Sequence, residues 1–154
     1  MHICKIISGG QTGVDRAALD IAIKLKILHG GWCPKGRLAE LGEIIPAKYL
    51  LQETNSSEFS ERTKLNIKDS DGTLIFVPNT SIEVTGGTKL TIDETKAQNK
   101  PYLIVDLAKD VKIELIIKWI YANNIKTLNI AGPRESRNTG IYNLSFNLFE
   151  KVFS

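Results

Sequence analysis

Four short segments gather glycine, hydroxyl and basic residues: Ser8-Gly9-Gly10-Gln11-Thr12-Gly13-Val14-Asp15-Arg16, Pro34-Lys35-Gly36-Arg37, Thr85-Gly86-Gly87-Thr88 and Gly132-Pro133-Arg134-Glu135-Ser136. Glycine lets a backbone approach a ligand closely, and the N–H groups that open a helix attract anions. The first and third segments are Gly-Gly loops leading into helical patterns, and Thr12-x-x-Asp15 and Thr88-x-x-Thr91 read as capping pairs. One such loop is ordinary turn chemistry in any α/β protein. Two of them, joined by Lys35, Arg37 and Arg134, predict a phosphate or oxyanion site. The candidate ligand residues are Gly9, Gly10, Gln11, Thr12, Gly13, Asp15, Arg16, Lys35, Gly36, Arg37, Arg62, Gly86, Gly87, Thr88, Thr91, Gly132, Arg134, Glu135 and Ser136. Arg62 enters because Arg62, Asn66 and Asp69 recur at i, i+4 and i+7, a polar stripe that can face a cleft.

The usual nucleotide motifs are absent. Gly9-Gly10-Gln11-Thr12-Gly13 lacks the Gly-Lys-Ser/Thr of a P-loop, and it is not G-x-G-x-x-G. The region where a dinucleotide site would place an acidic residue reads Trp32-Cys33-Pro34-Lys35-Gly36-Arg37, basic instead. His2, at the terminus, and His29, at an expected helix end, are poor catalytic candidates. Glu53 and Glu94 are the candidate general acid–base groups, Glu94 being the catalytic candidate if the protein is an enzyme. Two cysteines cannot make a zinc site alone, and no metal site is expected. Cys4, in an apolar run, is expected to be a buried thiol.

Strands and helices must position these segments, and they alternate along the chain. Strands are expected at residues 3–7, 32–33, 49–52, 73–77, 102–106 and 127–131, and helices at 14–28, 58–69, 88–99, 110–123 and 141–153. His29-Gly30-Gly31 is expected to stop the first helix, whose Arg16, Asp20 and Lys24 form a solvated charge ladder. Such alternation demands crossover connections. The expected fold is a three-layer Rossmann-like α/β domain over residues 1–154, a mostly parallel sheet of about six strands with helices on both faces. Ligands then bind at the carboxyl ends of the strands, where the four segments lie.

Hydrophobic residues make up 42% and charged residues 24%, the balance of a globular protein. A net charge of +3 with no basic tract argues against nucleic-acid binding. No apolar run approaches the ~18 residues of a membrane span, and residues 3–8 are too short and interrupted for a signal peptide. A cytoplasmic location is expected. Ile23 and Ile27 share the charge-ladder side of the first helix while Val14, Ala18 and Leu25 cover the other, which predicts a second buried surface and hence a homo-oligomer.

The order and identity of these segments resemble a known family. Ile7-Ser8-Gly9-Gly10-Gln11-Thr12-Gly13-Val14-Asp15-Arg16-Ala17-Ala18-Leu19-Asp20 is similar to the opening of the putative molybdenum carrier proteins. The likeness continues through Gly31-Trp32-Cys33-Pro34-Lys35-Gly36-Arg37, Glu61-Arg62-Thr63, Asp69-Ser70-Asp71-Gly72-Thr73-Leu74, Gly86-Gly87-Thr88 and Ala131-Gly132-Pro133-Arg134-Glu135-Ser136. It implies a Rossmann-like fold of the group that includes the lysine-decarboxylase-like phosphoribohydrolases and the DprA proteins. It further implies an oligomeric carrier of molybdenum cofactor or a related oxyanion; a nucleotide is the alternative ligand that the glycine-rich segments allow.

Two functions follow as expectations. The first is a carrier that holds a phosphorylated or oxyanionic small molecule without transforming it, with the backbone of residues 9–13 and 86–88 as cradle. The second is a phosphoribohydrolase that cleaves a nucleoside monophosphate at its N-glycosidic bond through Glu94. The hydrolase relatives carry Gly-Gly-x-Gly-Thr-x-x-Glu. Here Gly86-Gly87-Thr88-Lys89-Leu90-Thr91-Ile92-Asp93-Glu94 is one residue longer before the Thr-x-x-Glu and lacks the third glycine, which favours the carrier.

Overall fold

Alternating side-chain direction along the central strands decides which residues meet the helices on each face of the sheet. In the computed structural model, which describes residues 3–80 and 86–154, all six residues of β5 (Gly72–Val77) are buried. Leu74 and Phe76 join the core cluster under α1 (Val14–Lys24), α4 (Ile113–Ala122) and α5 (Ile141–Phe153). Thr73, Ile75 and Val77 point to the opposite face, where α2 (Phe59–Lys68) packs on α3 (Gly86–Ala97). Burial on both faces accounts for the continuous apolar run of β5.

The main sheet has five parallel strands in the order β2-β1-β7-β5-β6, with β1 at Lys5–Ile7, β2 at Leu28–Gly30, β6 at Tyr102–Asp106 and β7 at Thr127–Ala131. The chain steps outward from β1 to β2 on one side and from β5 to β6 on the other, and the last strand, β7, fills the gap between them. The carboxyl ends of β1, β7 and β5 are therefore neighbours, and the loops that leave them share one rim. β3 (Trp32–Cys33) and β4 (Gln52–Glu53) form a separate two-stranded parallel sheet. Beside it Leu19, Cys33, Ala39, Ile45 and Tyr49 make a second small core.

The expected α/β architecture is present, with corrections in detail. The first helix ends at Lys24, not at residue 28, because Lys26 takes a left-handed conformation (φ 58°). The N–H groups of Lys26 and Ile27 then return to the carbonyls of Ile23 and Ala22, a Schellman closure. The chain this frees becomes β2, so His29 and Gly30 lie in a strand instead of stopping a helix. The fourth strand starts at Gln52, with Tyr49 in the preceding turn. α1 has no side-chain cap: its N-cap is Gly13, and Thr12 bonds elsewhere. Cys4 is exposed, because it precedes the first strand, at the end of the sheet away from the rim. Cys33 is the buried thiol, and burial pushes its ionisation above the ordinary range. Of the charge ladder only Lys24 is exposed. Arg16 donates to the Gly10 carbonyl and to Glu43, and Asp20 accepts from the hydroxyls of Tyr49 and Tyr142.

Candidate functional site

The loop after β1, the residues that directly follow β5 and β7, α2 and the start of α3 line a cavity of about 450 Å³. Gly9, Gln11 and Asp15 line it from the first loop and helix, and Phe59, Arg62, Thr63 and Asn66 from α2. Gly86, Gly87, Thr88, Leu90 and Thr91 come from the start of α3, and Gly132, Pro133, Arg134, Arg137 and Asn138 from the segment after β7. The floor is the sheet itself, Ile75 and Val77 of β5 with Asn129 and Ile130 of β7.

Arg62 is the hub of this wall. Its Nη1 donates to the Gly9 carbonyl at 3.0 Å and lies 3.8 Å from the Asp15 carboxylate. Only glycine permits this approach: a Cβ at position 9 would sit 2.4 Å from Arg62 Nη1. Arg62 and Asp15 are both enclosed, their side chains 12% and 7% exposed. Burial pushes the Asp15 carboxyl up to about 6, against the pull of Arg62, of the Gln11 N–H, of Arg16 and of the Gly9 N–H. Burial also lowers Arg62, which Asp15 counteracts and neighbouring Arg134 reinforces. Both guanidiniums flank one aromatic ring, Arg62 at 5.2 Å and Arg134 at 5.7 Å from the centre of Phe59. Both cations thus face the cavity, which Arg137 also lines, and among the described residues each pairs with one carboxylate: Asp15 for Arg62 and Glu40, 3.9 Å away, for Arg134.

The first glycine loop is closed on itself. The Gln11 N–H donates to Asp15 Oδ2 at 3.2 Å, the Gly10 N–H reaches Ser8 Oγ at 3.4 Å, and the Thr12 N–H donates to its neighbour Gln11 Oε1 at 3.1 Å. Gly13 packs hard against the segment after β7, where a Cβ would lie 2.4 Å from the Pro133 carbonyl. At the start of α3, no described residue lies within 4 Å of where a Cβ of Gly86 or Gly87 would stand. Within α3, Thr91 Oγ1 donates back to the Gly87 carbonyl at 2.9 Å.

Several predicted ligands stand outside the cavity lining, most of them engaged in holding the rim. Thr12 Oγ1 donates to Glu40 and accepts the Glu135 N–H at 3.1 Å. Ser136 gives both its hydroxyl and its N–H to Glu40. Glu135 caps α5 by accepting from the N–H groups of Gly140 and Tyr142, at 2.6 and 2.9 Å. Arg37 spends its guanidinium on the carbonyls of Ile45, Leu51, Pro46 and Tyr49. The Gly36 N–H donates to Glu53, and Lys35 is exposed. Gly10 and Arg16 bind each other behind the loop. Asp69, third member of the α2 stripe, accepts from Trp32 Nε1 instead of facing the cavity. Glu94 is also outside the lining, and its carboxylate accepts from Gln98 Nε2 at 3.0 Å.

Sequence reasoning missed Phe59, Asn66 as a lining residue in its own right, Asn129, Arg137 and Asn138. Asn129 carried a signal, a single amide within the buried apolar strand Thr127-Leu128-Asn129-Ile130-Ala131. Its Nδ2 donates to Thr73 Oγ1 at 3.3 Å across neighbouring strands on the cavity side. Nothing in the sequence around Phe59 marks its ring as the one that both Arg62 and Arg134 approach.

Comparison with known proteins agrees with this architecture. The chain is similar to the crystal structure of a putative molybdenum carrier protein from Syntrophus aciditrophicus SB, with 46% identity and a TM-score of 0.91 over 99% of this chain and 96% of that one. No curated protein matches it significantly. The model of the circularly permutated YpsA SLOG family matches residues 6–153. With nearly the whole sequence matched by that model, the chain belongs to the circularly permutated YpsA SLOG family.

Proposed function

We propose that the protein binds and carries a small phosphorylated or oxyanionic molecule in the cavity between α2, α3 and the segment after β7. The observation that carries this reading is the pair Arg62 and Arg134, both on one cavity wall and both against the Phe59 ring. The start of α3 at Gly86-Gly87-Thr88 lines the same cavity and would add backbone N–H groups and the positive end of a helix dipole. An anion held there meets donors from both, while Ile75, Val77 and Leu90 offer apolar contact to the remainder of the molecule.

The solved relative is named a putative molybdenum carrier protein, and molybdenum cofactor, which is itself a pterin phosphate, is one ligand of this chemistry; a nucleotide is another. The fit is to the phosphate or oxyanion. Among the described residues no cluster of three or more His, Cys, Asp or Glu is placed to hold a metal ion. In such a carrier Arg62, Arg134 and the α3 start would hold the anionic group, and Phe59 would border the rest. Carriage without turnover is favoured by Glu94, which faces Gln98 and not the cavity. We further propose a cytoplasmic homo-oligomer. Ile23 is 42% and Leu28 71% exposed near one edge of the sheet, apolar surface that suits a second copy.

The test is native mass spectrometry with elemental analysis of freshly purified protein. A phosphorus- or molybdenum-bearing species that co-purifies with wild type and is lost in Arg134→Ala supports the reading. Wild type without bound mass, together with no affinity for any phosphorylated compound, contradicts it.

A further inference from the structure

An anion already occupies the first glycine loop, and it belongs to the protein. Asp15 takes the N–H of Gln11 at 3.2 Å, draws on that of Gly9, and stands 3.8 Å from Arg62. These are the groups such a loop would otherwise offer to a phosphate. Asp15 also lines the cavity, its side chain only 7% exposed, so little water separates it from whatever the cavity holds.

Resting on the anion-site reading above, we propose that Asp15 is an internal counter-anion that an incoming oxyanion forces to accept a proton, so that capture of the ligand takes up a proton from solvent and release returns it. The two anions compete for the same guanidinium, Arg62. In a poorly hydrated wall, unit charges a few ångströms apart interact by several kcal/mol at an effective dielectric near 20. Neutralising one of them is the low-energy solution, as it is for paired carboxylates that share a proton. The step is simple: one proton moves from water or buffer to an Asp15 carboxyl oxygen, and no other bond changes. The protonated carboxyl still accepts the loop N–H groups, and Arg62 turns its charge to the ligand.

The charged groups around Asp15 permit this. The basic groups are Arg62 on α2, Arg16 on its own helix, and Arg134 and Arg137 from the segment after β7. Glu40, beside Arg134, is held ionised by hydrogen bonds from Ser136 and Thr12 despite its burial. The Cys33 thiol, raised by burial, is neutral at the pH values concerned. Asp15 sits at about 6, so it is mostly ionised at pH 7 and close enough to neutrality for one added negative charge to tip it.

Sulfate is the probe, because its charge is constant over the range tested. Calorimetric titration at pH 7 in two buffers of different ionisation heat counts the protons taken up. The expected count is between about 0.5 and 1 per sulfate, with affinity falling several-fold per pH unit from about pH 6.5 to 8. Asp15→Asn keeps the shape and an acceptor for the loop, and should bind sulfate with no uptake and a flat pH profile. Should that variant fail to fold, the Asp15 carboxyl carbon resonance of wild type decides, since it must move to its protonated position when sulfate is added at pH 7. Sulfate binding that Arg134→Ala weakens, with no proton uptake, overturns this inference and leaves the anion site standing. No sulfate binding at any pH removes both.

Discussion

Glu40 and Ser136 lie 96 positions apart in the chain and meet at the rim of the sheet, where the carboxylate accepts both the Ser136 hydroxyl and its N–H. The same carboxylate takes the Thr12 hydroxyl and stands 3.9 Å from Arg134. Three rim segments that the chain delivers separately are therefore tied at one buried group. This tie fixes where Arg134 stands relative to Arg62.

Glu40→Ala should cost about 2–4 kcal/mol of stability, since several hydrogen bonds to one charged acceptor are lost and their donors are left without it. Urea denaturation measures it. A change under about 0.5 kcal/mol would show that the rim does not depend on Glu40.

Tyr49 and Tyr142 both donate to the Asp20 carboxylate, one from the loop before β4 and one from α5. Burial raises both phenols above their ordinary range, and the bond to Asp20 raises them further. Of the four tyrosines, these two should ionise only as the protein unfolds in alkali, and in Asp20→Asn they should ionise at lower pH. Near-ultraviolet absorbance during alkaline titration distinguishes the outcomes. Ionisation of Tyr49 and Tyr142 while the protein is still folded would contradict the clamp.

Much of the fold was legible because its signals are local. The buried run at β5 and the stripe of α5 announce themselves, and β7 and α5 begin and end where their patterns do. β2 was not legible. Ile27 and Leu28 continue the apolar spacing of α1, and only the left-handed turn at Lys26, which the sequence does not mark with glycine, cuts them off. The site was legible as a rim and not residue by residue. Glycine, arginine and hydroxyl residues after the strands pointed to the correct end of the sheet. Composition cannot say which arginine is spent on carbonyls, as Arg37 is, and which faces a cavity, as Arg62 does. That depends on the path of the 34–51 loop, which is set by contacts distant in sequence.

The pH dependence of stability carries the mark of Asp15. Its native carboxyl is raised from 3.8 to about 6, so the native state holds this proton more tightly than the unfolded chain. That contribution is fully present below 3.8 and is lost as pH rises through 6. His29, lowered by burial from 6.5, acts oppositely: its contribution is present above 6.5 and fades as pH falls. Asp15→Asn deletes the first and keeps the second. Stability of wild type minus that of the variant should therefore fall between pH 4 and 7, by on the order of 2–3 kcal/mol. Denaturation at a series of pH values checks it, and a flat difference would contradict the burial of an ionised Asp15.

Glu94 faces Gln98, so the protein should release no free base from a panel of nucleoside monophosphates, and Glu94→Gln should leave ligand affinity unchanged. Chromatography of the incubation mixture detects release. Base formation abolished by Glu94→Gln would overturn the carrier reading in favour of a phosphoribohydrolase.

The central claim is that two arginines and the start of α3 form an anion site, and the affinity of the protein for adenosine monophosphate compared with adenosine tests it most directly. Calorimetry on wild type and on Arg134→Ala should show the monophosphate bound at least about tenfold more tightly than the nucleoside. The substitution should cost the monophosphate about 1.5–3 kcal/mol and the nucleoside almost nothing, as expected for loss of one charge-assisted hydrogen bond. Equal affinity for the charged and neutral compounds, or an Arg134→Ala variant that binds the monophosphate like wild type, would contradict it.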